Sequence, residues 1–331
     1  MERVLLSVLD QSPIADGASG ADALRNSVDL ARRTEELGFH RYWVAEHHGT
    51  PALACASPEV LIAAIGSATS RIRVGSGGVM LPHYSPLKVA ETFTMLAGLF
   101  PGRIDLGLGR AAGTDPATTF ALQRDRRAVA PDDFPQQLAE LLGYLRHALP
   151  HDHPFARLAE ILPGRPEVPE AWLLGSSSQS GIWAAEAGLP YAFADFISPT
   201  GAPIAARYRE EFTPGVIDAP RVVAAVTAIC AETDAEAERL ASSFRMLFTL
   251  LREGKLIPVP PVETAVRFFE ERGRDFTRQP PGRRAIVGSP AKVRAGIEAV
   301  AEEYGADEIM IVTITHDHAA RVRSYELIAE G

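Results

Sequence analysis

The sequence predicts an α/β fold, a single (β/α)8 TIM barrel with an insertion between strands 7 and 8. Short apolar runs alternate with helical patterns along nearly all of the 331 residues. This alternation requires parallel strands that are joined by right-handed crossovers. Eight strand candidates favour a closed barrel, and no G-x-G-x-x-G motif follows the first strand to favour an open sheet. We therefore expect residues 1–331 to form one domain.

The strand candidates are short runs of apolar and β-branched residues. They are Val4–Leu9, Arg41–Ala45, Ile72–Met80, Ile104–Gly109, Trp172–Leu174, Tyr191–Phe193, Arg221–Cys230 and Glu308–Thr315. A helix pattern follows most of them. The first helix, Ala21–Leu37, ends before Gly38, and the Ser57-Pro58 pair begins the second. Later helices are predicted from Pro86 and over Phe134–Leu149, Ile182–Ala187, Asp234–Leu251 and Arg321–Ala329.

One region interrupts the alternation. Residues 251–284 are rich in Pro, Gly and Arg, and a short extra strand at Ala285–Val287 precedes the Ser289-Pro290 helix start. The region lies between the seventh and eighth barrel strands, where mobile covers over active sites are often found. We expect residues 251–284 to be an insertion that acts as a mobile lid.

Composition excludes several classes of function. A 46% apolar and 23% charged chain is typical of a globular protein, and a net charge of −9 argues against nucleic-acid or anionic membrane surfaces. No apolar run approaches the ~20 residues of a membrane span, and the N-terminus lacks a signal-peptide pattern, so we expect a cytoplasmic protein. Cys55 and Cys230 are far apart, which argues against a disulfide framework or a zinc site.

The second predicted strand ends in three titratable residues, Glu46, His47 and His48. Reaction sites of TIM barrels lie at the carboxyl ends of the strands. Buried carboxylates and imidazoles must be paired or neutralised, so such a cluster is costly to keep without a function. A solvated loop that holds two histidines is the alternative explanation.

The fifth predicted strand runs into Gly175–Gly181, a segment of four serines and two glycines ahead of a helix. Free backbone N–H groups, hydroxyl donors and the positive end of a helix dipole form an anion site, and phosphate is its usual ligand. Arg110, at the end of the neighbouring fourth strand, supports this interpretation. An empty serine cap is the alternative.

Glycines occur in the third and fourth strands. Gly77 and Gly78 lack Cβ atoms, so a flat ligand could lie close to their backbone. A bulge or a tight packing layer is the alternative. Gly107 and Gly109 are expected to face the lumen and to leave space there. Together with the phosphate site, these positions indicate one elongated ligand, and flavin mononucleotide (FMN) matches it better than a sugar phosphate.

Four motifs in this order resemble those of the luciferase-like flavin-dependent monooxygenases, the bacterial luciferase family. They are Tyr42–His48, Gly75–Pro82, Pro101–Arg110 and Gly175–Gly181 followed by Trp183-Ala184-Ala185. The resemblance covers nearly the full chain. It implies a TIM barrel that binds reduced FMN, which a separate flavin reductase supplies. Such an enzyme uses O2 to form a flavin 4a-hydroperoxide that oxidises a small organic substrate, and homodimers are common in the family.

The resemblance also implies roles for individual residues. The predicted catalytic residues are Glu46, His47 and His48; His47 matches the catalytic histidine, although which of the two histidines is essential stays open. The predicted cofactor-binding residues are Gly77, Gly78, Val79, Met80, Arg110, Ser176, Ser177, Ser178, Ser180 and Gly181. Bacterial luciferase differs from this chain at two positions, with a cysteine in place of Gly109 and a glutamate in place of Ser176.

The substrate is not predicted, but its pocket is expected to include Asp10, Gln11, His83, Tyr84, Phe196 and Ile197. Three other functions remain open. A deazaflavin-dependent dehydrogenase could share the fold, and a flavin-storing protein could share the binding site. A metal-dependent barrel hydrolase could use the pairs His151/His153 and His316/His318, although neither pair lies on the first strand, where such enzymes usually carry theirs.

Overall fold

The computed structural model describes residues 4–110, 115–123, 126–127 and 132–330. Nine parallel strands in this part of the chain form one sheet. The strands are β1 (Leu5–Asp10), β2 (Arg41–Val44), β3 (Arg73–Met80), β4 (Ile104–Gly109), β5 (Glu170–Gly175), β6 (Tyr191–Ala194), β7 (Val222–Cys230), β8 (Ala285–Gly288) and β9 (Glu308–Val312).

Eight of the strands close into a barrel. β1 to β6 are neighbours in chain order, β6 pairs with β7, β7 pairs with β9, and β9 pairs with β1. β8 lies outside this ring and pairs with residues 227–230 of β7. The TIM-barrel prediction is therefore confirmed, as is the extra strand between the seventh and eighth barrel strands.

Helices surround the ring, and several of them pack apolar faces against the sheet. They are α1 (Gly20–Glu36), α2 (Pro58–Ala68), α3 (Pro86–Leu99), α4 (Pro116–Leu122), α5 (Phe134–Arg146), α6 (Ala156–Glu160), α7 (Ser178–Glu186), α8 (Ala202–Glu210), α9 (Asp234–Arg252), α10 (Val262–Glu271), α11 (Pro290–Tyr304) and α12 (His318–Glu330), with a 3-10 turn at Leu81–His83. Ser19 begins α1 with a capping box in which Asp22 is the partner.

Successive side chains of a strand point to opposite faces, which produces two cores. In β2, Tyr42 and Val44 pack outward against the helices, whereas Trp43 points into the lumen. In β4, Leu106 and Leu108 also face outward. The lumen is thus filled by side chains rather than being an open pore.

The amino-terminal end of the lumen is closed by a charged network. The Arg41 guanidinium donates to Asp105 (Nη1–Oδ2, 2.8 Å) and to Glu308 (Nε–Oε1, 2.8 Å). The Trp172 ring lies 4.6 Å from the guanidinium carbons of both Arg41 and Arg221. All of these side chains except that of Arg221 are buried. The buried guanidinium of Arg41 and its two carboxylates thus compensate one another, and the opposite end of the barrel is left for ligands.

The insertion is not a loop throughout. Helix α10 packs against α9 through an apolar cluster that consists of Met246, Leu250, Ala265 and Phe269. Before α10, the backbone of Val259 exchanges hydrogen bonds with Ile14 and Asp16 of the β1–α1 loop, both 2.8 Å long. Parts of residues 251–284 therefore pack against or bond to the rest of the chain. The mobile lid stays a prediction.

Among the helices within the described residues, no helix combines the length and the apolar character that crossing a bilayer would require.

Candidate active site

Residues from all eight barrel strands or the segments that follow them meet at one cavity of about 540 Å³. The cavity lies at the carboxyl ends of the strands, and we call it the first cavity. Its wall includes Gln11, Glu46, His47, Gly77, Gly78, Met80, Gly109, Arg110, Ser176, Ser177 and Ser180. The structure therefore brings the histidine-bearing motif and the serine-rich segment to the same opening. Trp183 and Phe134, which the sequence analysis did not assign, also line it.

Glu46 is fixed by protein donors on both carboxylate oxygens. Its Oε1 bonds to His48 Nε2 (2.7 Å) and accepts from the Tyr84 hydroxyl (2.8 Å), while its Oε2 accepts from the Met80 N–H (2.9 Å). The side chain is buried. Burial of Tyr84, together with the charge of Glu46 next to the tyrosine hydroxyl, raises the pKa of Tyr84 well above its usual range. Glu46 therefore orients its neighbours, and both of its oxygens already have partners in the protein.

His47 is held differently. Its backbone N–H donates to the Cys55 carbonyl (2.9 Å), but its buried Nδ1 has no hydrogen-bond partner within the described ranges. Burial lowers the pKa of His47 to about 4, and the adjacent His48 contributes to the shift. The ring is therefore neutral at neutral pH. A neutral imidazole in the wall of a cavity can offer a ligand one hydrogen-bond donor and one acceptor.

The glycines of β3 have a structural explanation. The Gly77–Gly78 peptide bond is cis. A Cβ at Gly77 would collide with Leu9, and one at Gly78 would lie 2.6 Å from the Gly107 carbonyl. The β3–β4 register shifts at the same point, which marks a bulge. The bulge and the tight packing thus explain why glycine occupies positions 77 and 78. Both glycines still line the first cavity with their backbone. Gly107 is also packed, against the Ser76 carbonyl, so the expectation that it leaves space is wrong.

Neighbouring positions differ in what they contribute. A Cβ at Gly109 would have only the Val79 carbonyl within reach, at 3.8 Å, so this glycine leaves space as expected. Met80 lines the first cavity. The Val79 side chain instead points outward into the core between the sheet and the helices, so its prediction as a cofactor-binding residue is not supported by side-chain placement.

The serine-rich segment divides in the same way. Ser176, Ser177 and Ser180 line the first cavity. Ser178 is exposed at the first position of α7 and lies outside the cavity wall, and Gly181 packs against Ile204 of α8. Helical periodicity turns these two positions away from the cavity, because only some residues of the first turn face it. Ser178 and Gly181 therefore lie outside the wall of the first cavity, and their assignment as cofactor-binding residues stays a prediction.

Helix α7 begins at this segment without a side-chain cap. Ser177 occupies the N-cap position, yet its side chain accepts no hydrogen bond from the helix. The Ser180 hydroxyl donates to the Ser177 carbonyl (2.8 Å) and also bonds to the Tyr191 hydroxyl (3.0 Å). The first N–H groups of α7 therefore have no side-chain acceptor and face the end of the barrel where an anion would be stabilised.

Arg110 supplies a cation beside that helix end. Its guanidinium carbon lies 5.5 Å from the ring of Trp183, which belongs to α7. Its Nη2 pairs with the exposed Asp132 at 2.7 Å. Half of the Arg110 side chain is exposed (48%), so solvent screens this pair and the guanidinium can turn toward a ligand.

A second cavity of about 370 Å³ adjoins the first. The two share Gln11, His47, Phe196 and Ile197 in their walls. The remaining wall comes mainly from β2–α2, α9 and the insertion, and its apolar members are Ala52, Leu53, Leu247, Phe248, Leu251, Leu256, Ile257 and Ile314. His47 therefore lies between the first cavity, which has polar residues at one end, and the second cavity, whose wall is mainly apolar.

Three predicted pocket residues lie in neither wall. Asp10 is fully buried and bonds to Arg321 (2.6 Å) and to the Tyr42 hydroxyl (2.5 Å), so it is a structural residue and its pocket assignment is wrong. Tyr84 acts on Glu46, as described above. The His83 ring packs edge-on against His48, with ring centres 6.0 Å apart. Gln11, Phe196 and Ile197 are placed as predicted.

Among the described residues, the histidine pairs are not grouped with further metal-ligating side chains into a site that could hold a metal ion. His316 Nε2 lies 3.1 Å from the Asp16 carbonyl oxygen, and His318 Nε2 lies 3.0 Å from Asp29. His153 packs against Phe155, and His151 is exposed. In residues 4–110, 115–123, 126–127 and 132–330, no three His, Cys, Asp or Glu side chains are grouped so that they could hold a metal ion.

Comparison with known proteins agrees with this geometry. The sequence model of the family described as luciferase-like monooxygenase matches residues 3–308. The chain belongs to this family. A luciferase-like monooxygenase of Escherichia coli K12 is 40% identical over 326 residues, which cover 98% of this chain and 96% of the relative. The N-acetyl-S-alkylcysteine monooxygenase of Bacillus subtilis is 35% identical over 336 residues (99% and 98%).

Solved structures share the fold of this chain. The structure of apo-MsnO8 has a TM-score of 0.89 and 41% identity, and the match covers 99% of this chain and 98% of that one. The oxygenating constituent of 3,6-diketocamphane monooxygenase of Pseudomonas putida, solved in complex with FMN, has a TM-score of 0.74 and 22% identity (99% and 97%). The predicted family resemblance is confirmed.

Proposed function

We propose that the protein is a monooxygenase that uses reduced FMN and O2 to oxidise a small organic substrate. The proposal rests mainly on one observation. A single cavity at the carboxyl ends of the barrel strands has His47, with its unpartnered Nδ1, in one part of its wall, and Arg110 and the start of α7 in another. Membership of the luciferase-like monooxygenase family supports the same reaction class.

The residues present fit FMN. The volume of about 540 Å³ lies within the range of ligand pockets, roughly 300–1,000 Å³. Ser176, Ser177, the uncapped N–H groups of α7 and Arg110 would hold the phosphate, in a geometry typical of phosphate sites at helix starts. The backbone of Gly77 and Gly78 would lie alongside the ring system.

Reduced FMN, when bound, supplies the two electrons that allow one atom of O2 to enter the substrate while the other leaves as water. The chain must keep bulk water away from this chemistry. Leu9, Trp43 and Leu174 form apolar parts of the first cavity, and the charged network centred on Arg41 closes the lumen beneath them. The second cavity, which is mainly apolar, would admit the substrate on the other side of His47.

His47 is the residue that we assign to proton transfer. Its depressed pKa keeps the imidazole neutral at pH 7, so one ring nitrogen carries a proton and the other can accept a hydrogen bond from a reacting group. His48 is assigned a positioning role instead, because its Nε2 is bonded to Glu46, which also holds Tyr84 and the Met80 N–H. Glu46 thereby fixes the segment that presents His47.

The substrate and the partners are further parts of the proposal. The Bacillus subtilis relative is named for N-acetyl-S-alkylcysteines, so thioethers are the first class that we would test, followed by ketones and aldehydes. As the family resemblance implies, we propose that a separate flavin reductase supplies reduced FMN. A homodimer stays a prediction, which light scattering of the purified protein would test.

A single-turnover experiment tests the function. Purified protein is loaded anaerobically with photoreduced FMN, mixed with ¹⁸O2 and a thioether, ketone or aldehyde, and the products are examined by mass spectrometry. We expect one ¹⁸O atom in the product. Parallel titrations with oxidised FMN, reduced FMN and an 8-hydroxy-5-deazaflavin separate the alternatives. Tight deazaflavin binding with substrate dehydrogenation in the absence of O2 would establish the dehydrogenase, and FMN binding without any oxygen transfer would favour flavin storage.

The variant His47→Ala tests the assigned residue. We expect it to bind FMN with nearly unchanged affinity and to lose oxygen transfer by about 10²–10⁴-fold, the usual contribution of a positioned acid or base. His153→Ala is the matched control, because this histidine lies outside both cavities. His48→Ala should have a smaller effect. Wild-type turnover in His47→Ala would refute the role of the imidazole.

A further inference from the structure

The second cavity contains a charge that its apolar wall does not explain. Arg283, from the end of the insertion, lines this cavity beside Phe248 and Phe196. Its guanidinium carbon lies 4.0 Å from the centre of the Phe248 ring, and its Nη1 donates to the Phe196 carbonyl at 2.7 Å. The aromatic ring and the carbonyl hold the guanidinium at the cavity wall and use one of its five N–H donors.

Arg283 is partly buried and, unlike the fully buried arginines, has no carboxylate partner among the described residues. Arg41, Arg245 and Arg321 each pair with a carboxylate, and the adjacent Arg284 pairs with Glu303. Within the described part of the chain, no carboxylate lies within ion-pair distance of Arg283. Its cation is therefore neutralised by neither an aspartate nor a glutamate of the barrel.

The other charged groups of the cavity do not supply the missing anion. Lys255, which follows α9, lines the same cavity and is a second cation. Among the described residues of the wall, Asp115 is the one carboxylate, but it caps α4 by accepting from the N–H groups of Ala117 (2.8 Å) and Thr118 (3.1 Å). The described residues of the wall therefore carry a net positive charge, and the others among them are mainly aliphatic and aromatic.

Building on the monooxygenase function proposed above, we propose that the second cavity binds a substrate that joins an apolar body to a carboxylate. Arg283 binds the carboxylate, and Lys255 adds charge at the same end. The apolar body lies along Phe248 and Ile314, and this arrangement directs its far end toward His47 and the first cavity. A planar guanidinium binds a carboxylate through two parallel hydrogen bonds, which gives direction as well as affinity.

Matched pairs of ligands that differ only in charge test this proposal. We would use 3-(benzylthio)propanoate and 3-(benzylthio)propanamide, with the homologous four- and five-carbon pairs to vary the reach. Isothermal titration measures the dissociation constant of each on protein loaded with oxidised FMN and on the FMN-free chain. No turnover is needed, so this measurement stands even if the protein transfers no oxygen, and the two proposals can fail separately.

We expect at least one acid to bind about tenfold or more tightly than its amide, a factor typical of a charge-assisted hydrogen bond. Arg283→Gln should remove this preference and leave amide binding within about twofold. Arg283→Lys, which keeps the charge, should retain part of it. Arg278→Gln is the matched control, because it makes the same change on an exposed arginine of the insertion that lines neither cavity.

With oxygen transfer measured by product formation, Arg283→Gln should raise KM for the acid and leave kcat unchanged. Several results would overturn the proposal. They are equal binding of every acid and its amide by the wild-type protein, equal losses for acid and amide in Arg283→Gln, and an effect of Arg278→Gln as large as that of Arg283→Gln. Weakened FMN binding in Arg283→Gln, with acid binding intact, would assign the arginine to the cofactor instead.

Discussion

The neutral state of His47 can be tested through the stability of the fold. The unfolded chain takes up a proton on this histidine near pH 6.5, whereas burial in the folded protein lowers its pKa to about 4. Between these values the unfolded state binds more protons than the folded state. The free energy of unfolding must therefore fall as the pH falls through this window, and the contribution is fully present above about pH 6.5.

The size of the effect follows from the shift. A difference of about 2.5 pKa units at about 1.4 kcal/mol per unit corresponds to roughly 3 kcal/mol once both states are titrated. Between pH 7 and pH 5 the folded protein should lose about 2 kcal/mol through this group. Other groups titrate in the same range, so the measured quantity is the difference between the wild-type protein and His47→Gln.

Urea denaturation at pH 7 and pH 5, followed by circular dichroism, provides the assay. We expect the pH-dependent loss of unfolding free energy to be about 2 kcal/mol smaller in His47→Gln than in the wild-type protein. His151→Gln, which removes an exposed histidine, is the control. If His47→Gln and the wild-type protein lose the same free energy between the two pH values, then His47 is not held neutral by burial and the proton-transfer role loses its basis.

Two further outcomes are expected from other parts of the molecule. Arg110→Gln should weaken FMN binding about tenfold and leave riboflavin binding unchanged, because riboflavin lacks the phosphate. Asp132→Asn, which removes the ion-pair partner of Arg110, should strengthen FMN binding. Equal effects of a variant on the binding of both flavins would contradict the assignment of Arg110 to the phosphate. Arg41→Met should lower the free energy of unfolding by about 3–5 kcal/mol, because it leaves the buried carboxylates of Asp105 and Glu308 without this partner. Urea denaturation measures the change. A loss below about 1 kcal/mol would show that the network is dispensable for stability.

The barrel could be predicted because its signals are local. Each strand is a short apolar run, and the alternation of Tyr42, Trp43 and Val44 between the two cores follows from the two-residue repeat of a strand. The rim motifs follow the strands directly, so Glu46, His47 and Arg110 are placed once the barrel is known. Chain order alone was sufficient for these positions.

Other features depend on contacts that a single sequence does not reveal. The partner of Asp10 is Arg321, 311 positions away in the chain. The sequence near Asp10 therefore does not indicate that its side chain forms a buried ion pair instead of lining a pocket. Arg283 was missed because Phe196 and Phe248 come from different parts of the chain. Helix α10 lies in a segment rich in proline and arginine, so the pattern of apolar residues on its buried face is difficult to recognise in the sequence.

The glycines show a different limit. The sequence indicated that Gly77 and Gly78 need space without a side chain, but it could not say whether a ligand or the protein fills that space. The structure gives the space to Leu9 and to the β4 backbone. Likewise, the serine-rich segment was identified as a whole, but the rotation of α7 decides which of Ser177, Ser178 and Gly181 face the cavity.

The wall that the two cavities share has a thermodynamic consequence. Gln11, His47, Phe196 and Ile197 contact whatever occupies either compartment. If filling one compartment shifts these side chains, the affinity of the other changes, and linkage requires the effect to be reciprocal: each occupant alters the dissociation constant of its neighbour by an identical factor. Either occupant would then bind more tightly or more weakly when the other is present, without any contact between distant parts of the barrel.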